Sequence, residues 1–268
     1  MNELTNILIL AVLQGLTEFL PVSSSGHLAI AGHLLGLKEN GMMVSVVLHA
    51  GTLLSILIVY CREILSLFKD PEKRPIFLAV LLATIPIGGI GFLVACSGVM
   101  DMLVANLYCP GISLCITGMI LFFAFRVDSK TADKRKDITK ITLKDALIIG
   151  LAQVPALLPG ISRSGMTIST GLKRNLTPTD AAQFSFLMAI PAIGGAALVE
   201  PLIALHKSGD ITGGVPVYML ILGFITSAVV GVIAVKILFI SLKRGSFKGY
   251  AYYCIALGIA SILWQFFS

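Results

Sequence analysis

The chain has 268 residues, 56% of them hydrophobic and only 13% charged, where a soluble domain carries about 25% charged residues. With a mean hydropathy of +0.94, that balance excludes an ordinary soluble globular domain. The net charge of +6 does not point to nucleic acid, because the basic residues fall in short loops between apolar spans, where they report membrane orientation.

At the N-terminus, Glu3 stands where a secretory signal would be basic, and no A-x-A-like cleavage site follows, so the segment reads as part of the membrane domain. Leu4–Leu20 and Leu28–Leu37 are apolar but each is too short to span comfortably. Between them lies the polar stretch that runs from Gln14 to Gly26, QGLTEFLPVSSSG. Uncharged apolar runs follow at Met42–Cys61, Ile76–Cys96 and Leu107–Phe125, each near the ~20 residues needed to cross a ~30 Å hydrocarbon core. A charged stretch, Arg126–Lys144, then carries seven Lys or Arg and reads as a solvated linker.

The second half repeats the first. Ala146–Leu158 and Met166–Leu172 are again short apolar pieces flanking a polar stretch, here QVPALLPGISRSG from Gln153 to Gly165. At an offset of 139, Gln14 falls on Gln153, and Ser23-Ser24-Ser25-Gly26 falls on Ser162-Arg163-Ser164-Gly165. Three apolar spans follow this stretch too, the last at Gly249–Phe267. The chain is therefore expected to be one membrane domain over 1–268, with repeat one at about 1–126, a linker at 127–144 and repeat two at about 145–268.

Pro and Gly at the breaks disfavour a continuous helix. Each polar stretch is then either a kinked spanning helix or a re-entrant helix–loop–helix. The re-entrant reading puts sixteen Lys and Arg on one side and only Lys38 and Lys207 on the other, whereas the kinked reading splits them twelve to six. The positive-inside rule favours the former. The expected fold is an all-α polytopic membrane protein with an inverted-topology repeat, six full transmembrane helices and two re-entrant helix–loop–helix segments, with both termini extracytoplasmic. The loop tips can meet near the midplane, lining a cavity. Cys61, Cys96, Cys109, Cys115 and Cys254 show no C-x-x-C spacing and read as small apolar fillers.

Ionisable groups within apolar segments are costly and usually functional. Glu18 and His27 flank the first Ser-rich turn, and Arg163 lies in the second. A Ser-rich turn opening a helix offers hydroxyls and free N–H groups, a natural anion site, and a guanidinium fork suits phosphate oxygens. Together these groups suit phosphoryl-group hydrolysis: a cradle for a diphosphate, Arg163 against the equatorial oxygens, a carboxylate holding a cation or deprotonating a nucleophile, and an imidazole moving a proton. The blander readings are a structural turn, a packing histidine and a structural Glu18–Arg163 ion pair. A transporter or lipid flippase is the alternative for an inverted repeat with broken helices. His49 lies in a span and can face the site. Glu200 and Lys236 read as snorkelling charges, His33 and His206 lack evident partners, and Lys173 and Arg174 set topology or meet lipid headgroups.

The stretches QGLTEFLPVSSSGH (Gln14–His27) and PGISRSGMT (Pro159–Thr167) resemble the two signature motifs of the undecaprenyl-diphosphatase, or bacitracin-resistance, family, and FSFLMAIP (Phe184–Pro191) resembles a third segment. The resemblance implies hydrolysis of undecaprenyl diphosphate to the monophosphate carrier of peptidoglycan synthesis, in the bacterial plasma membrane, with Mg2+ or Ca2+ as cofactor. It implies a polyprenyl diphosphate lipid as substrate, membrane lipids around the chain and no nucleic acid, with a homodimer left open. It also implies roles: Glu18 as metal ligand or base, Ser24 as nucleophile or phosphate contact, His27 as general acid/base or nucleophile, and Arg163 as phosphate ligand. Ser23, Ser25, Gly26, Ser162, Ser164, Gly165 and Gln14 are the implied substrate contacts. Many members carry a glutamate where this chain has Gln14, which offers a carbonyl oxygen without charge.

Overall fold

The structure is a computed structural model that describes residues 3–36, 41–104, 106–124, 135–208, 214–244 and 247–267. Among these residues the fold is all-helical, without strands; an isolated bridge joins Lys136 to Leu176. The first half comprises α1 (Glu3–Thr17), α2 (Ser24–Leu34), α3 (Gly41–Val59), α4 (Cys61–Lys69), α5 (Arg74–Ser97), α6 (Val99–Val104) and α7 (Tyr108–Ala124). The second comprises α8 (Leu143–Ala152), α9 (Arg163–Lys173), α10 (Pro178–Ser208), α11 (Val217–Arg244) and α12 (Lys248–Phe267).

Four helical stretches are long and apolar enough to cross a membrane: Pro71–Ser97, Pro178–Leu202, Val217–Lys243 and Lys248–Phe267. A fifth span arises if α3 and α4 count together; they meet at a 68° bend. The chain is thus a multi-pass membrane protein. Apolar side chains that a soluble protein would bury point outward, among them Ile85 (66% exposed) and Leu198 (71%), as expected where lipid is the solvent. Residues 62–75, expected as a loop, are largely helical. Cys61–Lys69 folds as an amphipathic helix that buries Leu67, because its apolar residues recur at helical spacing among charges.

The linker is also more than a solvated tether. Its residues 127–134 lie outside the described residues. Beyond them, Ile138 and Ile141 are buried, and Lys136 exchanges backbone hydrogen bonds with Asn175 (2.8 Å) and Thr177 (3.1 Å). Asp145, buried in the first turn of α8, accepts from Lys136, from Arg174 Nε at 2.7 Å and from Thr142 Oγ at 2.7 Å. Thr142 and Asp145 form a capping box that starts α8. Arg174 therefore has a structural partner, beyond setting topology.

Two broken helix pairs organise the interior. Neither α1 nor α2 is long enough to span, and the two pack against each other; α8 and α9 do the same. α1 packs on α11, and α8 packs on α5. α3 packs on α11, and α10 packs on α5. An aromatic cluster lies beneath the first break: Phe19 meets Phe186 edge-to-face at 5.5 Å, and Tyr60 meets the same ring at 5.8 Å.

Candidate active site

Each break opens a helix in the same way. The Ser23 side chain accepts the Gly26 N–H at 3.3 Å to cap α2, and the Ser162 side chain accepts the Gly165 N–H at 3.0 Å to cap α9. Ser23 and Ser25 hydroxyls lie 3.2 Å apart, as do those of Ser162 and Ser164. The two turns touch. Gly160 N–H donates to Ser25 Oγ at 3.4 Å, and Ser164 Oγ donates to the Leu20 carbonyl at 3.1 Å. A Cβ added at Gly26 would lie 2.9 Å from Gly160 Cα, so any side chain at 26 would force the turns apart. Thr117 of α7 fastens the second turn: its hydroxyl donates to Gly160 O at 2.9 Å and accepts the Ser162 N–H at 3.1 Å. The turns therefore meet in direct contact. A cavity of about 410 Å3 opens elsewhere, beside α4, α5 and α10, lined in part by Glu63, Lys73, Asp137 and Asp180; none of the expected site residues lines it.

Glu18 is the hub, buried at 7% exposure. Arg163 Nη2 donates to its Oε1 at 2.6 Å. Ser24 Oγ donates to its Oε2 at 2.6 Å, and Gln14 Nε2 reaches the same oxygen at 3.1 Å. His49 Nε2 stands 3.7 Å from that oxygen. Arg163 also reaches the Ser185 carbonyl through Nη1 at 3.4 Å, and Ser185 Oγ pairs with Thr167 Oγ at 2.7 Å. Helix geometry explains the gathering. Gln14 and Glu18 are one turn apart on α1 and its extension, where the Glu18 N–H still donates to Gln14 O at 3.0 Å. Ser24 and Arg163 occupy the same position, the residue after the cap, in the two turns.

Of the residues singled out in sequence, Gln14, Glu18, Ser24 and Arg163 share one hydrogen-bonded cluster. Ser23, Ser25, Gly26, Ser162, Ser164 and Gly165 build the two turns around it. His27 stands apart from the carboxylate: its Nδ1 lies 2.7 Å from Ser23 O and its Nε2 lies 2.7 Å from the Tyr253 hydroxyl. His49 joins the carboxylate, and Ser45 O at 2.8 Å anchors its Nδ1. Tyr253, Ser185, Thr167 and Thr117 were not foreseen. Thr117, Ser185 and Tyr253 lie in apolar helices whose inward faces carry no periodic signal, and Thr167 ends the second polar motif without any charge to mark it. Glu200 is half-buried on α10. His33 is exposed, and the side chains of Lys38, His206 and Lys207 lie outside those described.

Among the described residues, no three His, Cys, Asp or Glu side chains gather as a metal cage. One observation nonetheless suits a cation. Gln14 Oε1 is a buried acceptor without a hydrogen-bond partner, one helical turn from the Glu18 carboxylate. Two oxygens fit a hard cation whose remaining ligands come from phosphate and water.

Comparison with known proteins places this geometry. The family model described as bacitracin resistance protein BacA matches residues 7–260. An undecaprenyl-diphosphatase of Carboxydothermus hydrogenoformans is 39% identical over 260 residues, 96% of each chain. One from Bacteroides thetaiotaomicron is 39% identical over 266 residues, 96% of this chain and 97% of its own. Undecaprenyl-diphosphatase 3 of Bacillus cereus is 39% identical over 258 residues, 96% of each. With the match running almost end to end and taking in both capped turns, the chain belongs to the BacA bacitracin-resistance family.

Proposed function

We propose that this chain hydrolyses undecaprenyl diphosphate to undecaprenyl phosphate and inorganic phosphate in the bacterial plasma membrane, recycling the carrier of cell-wall synthesis and so conferring bacitracin resistance. The observation that carries the reading is the Ser24–Glu18–Arg163 contact set: a hydroxyl whose proton already points at a carboxylate, beside a guanidinium, at two facing helix N-termini. The two turns lie in contact and each opens a helix N-terminus, an arrangement that suits a diphosphate. A diphosphate oxygen pair can replace the Glu18 carboxylate on the Arg163 fork. Arg163 then offsets charge on the transferring phosphoryl group.

In the reaction, Ser24 Oγ attacks the terminal phosphorus while its proton passes to Glu18 Oε2. The bridging P–O bond breaks, and undecaprenyl phosphate leaves with the electron pair. Water then attacks the phosphoserine, Ser24 recovers its proton from Glu18, and inorganic phosphate departs. Glu18 and Gln14 Oε1 would hold a divalent cation, Mg2+ or Ca2+, which when bound would supply charge neutralisation at the phosphoryl oxygens.

The paired turns support an inverted repeat with two re-entrant segments. Their caps, their 3.2 Å hydroxyl pairs and their packing on α11 and α5 all match. With α3–α4 and the 17-residue α7 as spans, the count reaches six. The basic loops then face the cytoplasm and both termini lie outside. The test is phosphate release from a C55 diphosphate by purified protein, with and without EDTA, beside Glu18→Gln. Turnover by wild type and a loss of at least roughly 100-fold in the variant are expected, because among the described residues no other carboxylate contacts Ser24 or Arg163. Near-normal turnover by Glu18→Gln would remove the proposed base.

A further inference from the structure

We propose that Tyr253, on α12, is a positioning residue for the Ser24 turn and acts through His27. The inference deepens the phosphatase reading and rests on it for its kinetic arm. Ser23, which precedes Ser24, is one of two non-glycine residues with positive φ among those described, at 68°. An L-residue holds that conformation only where its surroundings over-determine it. The determinants are visible. The Ser23 hydroxyl accepts the Gly26 N–H, and the Ser23 carbonyl accepts the His27 backbone N–H at 3.2 Å. The same carbonyl lies 2.7 Å from His27 Nδ1.

A carbonyl has no proton to give, so Nδ1 carries the ring proton. In the neutral ring Nε2 is then an acceptor, and the Tyr253 hydroxyl donates to it at 2.7 Å. The two rings also lie nearly parallel, 14° apart with centroids at 5.5 Å. The next residue, Cys254, touches the same turn through its thiol and the Pro21 carbonyl at 3.9 Å. A helix more than 220 residues away in sequence thus grips the first turn at two successive positions. The hydroxyl selects the tautomer, the tautomer holds the Ser23 carbonyl, and the held carbonyl aims Ser24 at Glu18. Without the hydroxyl, the Nε2–H tautomer becomes available. It would set a nitrogen lone pair against the Ser23 carbonyl and release the turn.

Tyr253→Phe isolates the hydroxyl, because it keeps the ring and its stacking. We expect kcat to fall about tenfold with KM changed less than about twofold. Phosphate binding rests on Arg163 and the helix N-termini, whereas the aim of Ser24 enters only at the transition state. In a His27→Ala background the same change should have no further effect. Tyr252→Phe, on the neighbouring outward face, is the control and should keep wild-type kcat. Nitrogen NMR of 15N-histidine-labelled protein should show His27 as the Nδ1–H tautomer in wild type and as a tautomer mixture in Tyr253→Phe. The NMR arm needs no turnover, so it stands even if the phosphatase reading fails. Wild-type kcat in Tyr253→Phe, equal losses in both His27 backgrounds, or an unchanged His27 tautomer would each overturn the proposal.

Discussion

The two capped turns share a capping pattern and differ in chemistry, and in the backbone of the cap itself, with φ 68° at Ser23 and −78° at Ser162. Both place a serine cap three residues before a glycine, both pair hydroxyls at 3.2 Å, and both follow a fully buried glutamine, Gln14 or Gln153. Between Gln14–His27 and Gln153–Met166 only Gln14, Ser23, Ser25 and Gly26 recur, and three of the differences separate the chemistry. Glu18 in the first corresponds to Leu157 in the second, Ser24 to Arg163, and His27 to Met166. The first turn therefore carries the carboxylate and the hydroxyl, and the second carries the guanidinium. In the proposed reaction one side would donate the nucleophile and the other would offset charge. The glutamines show the same split. Gln14 Nε2 serves the Glu18 carboxylate, whereas Gln153 Nε2 donates to the backbone carbonyl of Ala83 at 2.8 Å.

The largest expected effect separates Ser24 from Ser164, which sits one position further along the second turn. Ser24→Ala should lower kcat by at least roughly 1,000-fold if the hydroxyl is the nucleophile. Ser164→Ala removes the bond to the Leu20 carbonyl and the 3.2 Å pairing with Ser162, each worth about 1 kcal/mol, and should keep activity within about tenfold. Rapid-quench trapping of a phosphoserine on Ser24 gives the direct readout. Equal and modest losses in both variants would mean that water attacks directly and that the turns are equivalent cradles.

Next in size is the cation. Arg163→Ala should lose at least roughly 100-fold in kcat/KM. It would also leave Glu18 without its 2.6 Å partner, an uncompensated buried charge. Arg163→Lys keeps the charge without the planar fork, so a loss of at least roughly tenfold is expected, about 1.4 kcal/mol of transition-state stabilisation. Steady-state phosphate release at matched thermal midpoints measures both. Wild-type rates in Arg163→Ala would reduce the guanidinium to a structural charge.

How far these roles can be seen in sequence depends on how each signal is encoded. The breaks were legible because Pro, Gly and Ser interrupt apolar sequence, and the cluster of Glu18, Ser24 and Arg163 because charge is scarce there. The bend at Tyr60 was not, since no proline or glycine marks it and the run Met42–Cys61 looks continuous. The docking of residues 135–141 was hidden behind a run of Lys and Arg, although Ile138 and Ile141 supply its buried contacts. His49 could be named only as a residue able to face the site, and Tyr253 not at all, for another reason. A membrane helix is apolar on its lipid face and its protein face alike, so periodicity does not say which way a polar residue points. Nor does chain distance reveal that α12 reaches back to His27.

The base of the second turn has a support with no described counterpart in the first. Asp145 holds Lys136, Arg174 and Thr142 together where the linker meets α8 and α9. Asp145→Asn keeps the shape but removes the charge and weakens the cap. The cations are partly exposed, with side chains 23% and 37% accessible, so solvent softens the loss to about 2 kcal/mol. A lower thermal midpoint in detergent is expected, with kcat of the folded protein within about threefold. A tenfold drop in kcat at an unchanged midpoint would show that this hub tunes the chemistry of Arg163 instead of its scaffold.

The smallest effect on turnover is expected at the glutamines, and it is the sharpest probe of the cation. Gln14→Glu places two carboxylates one helical turn apart, a repulsive pair unless a cation lies between them. The Gln14 Oε1 atom is already a buried acceptor without a partner, so the added charge falls where a hard cation would find its second protein oxygen. Turnover at saturating Mg2+ should stay within about threefold of wild type, while the Mg2+ concentration for half-maximal rate falls and sensitivity to EDTA rises. Gln153 Oε1 is likewise a buried acceptor without a partner, but Leu157 stands where Glu18 stands in the first turn, so Gln153→Glu has no second carboxylate to share a cation with. Its carboxylate would oppose the Ala83 carbonyl, acceptor against acceptor in a buried site, and should cost stability whatever the Mg2+ concentration. The paired measurement is a Mg2+ titration of activity and thermal midpoint in both variants. Should Gln14→Glu lose activity that no concentration of Mg2+ restores, or should Mg2+ stabilise both variants alike, the cation does not sit between Gln14 and Glu18. The first turn would then hold its carboxylate for proton transfer alone.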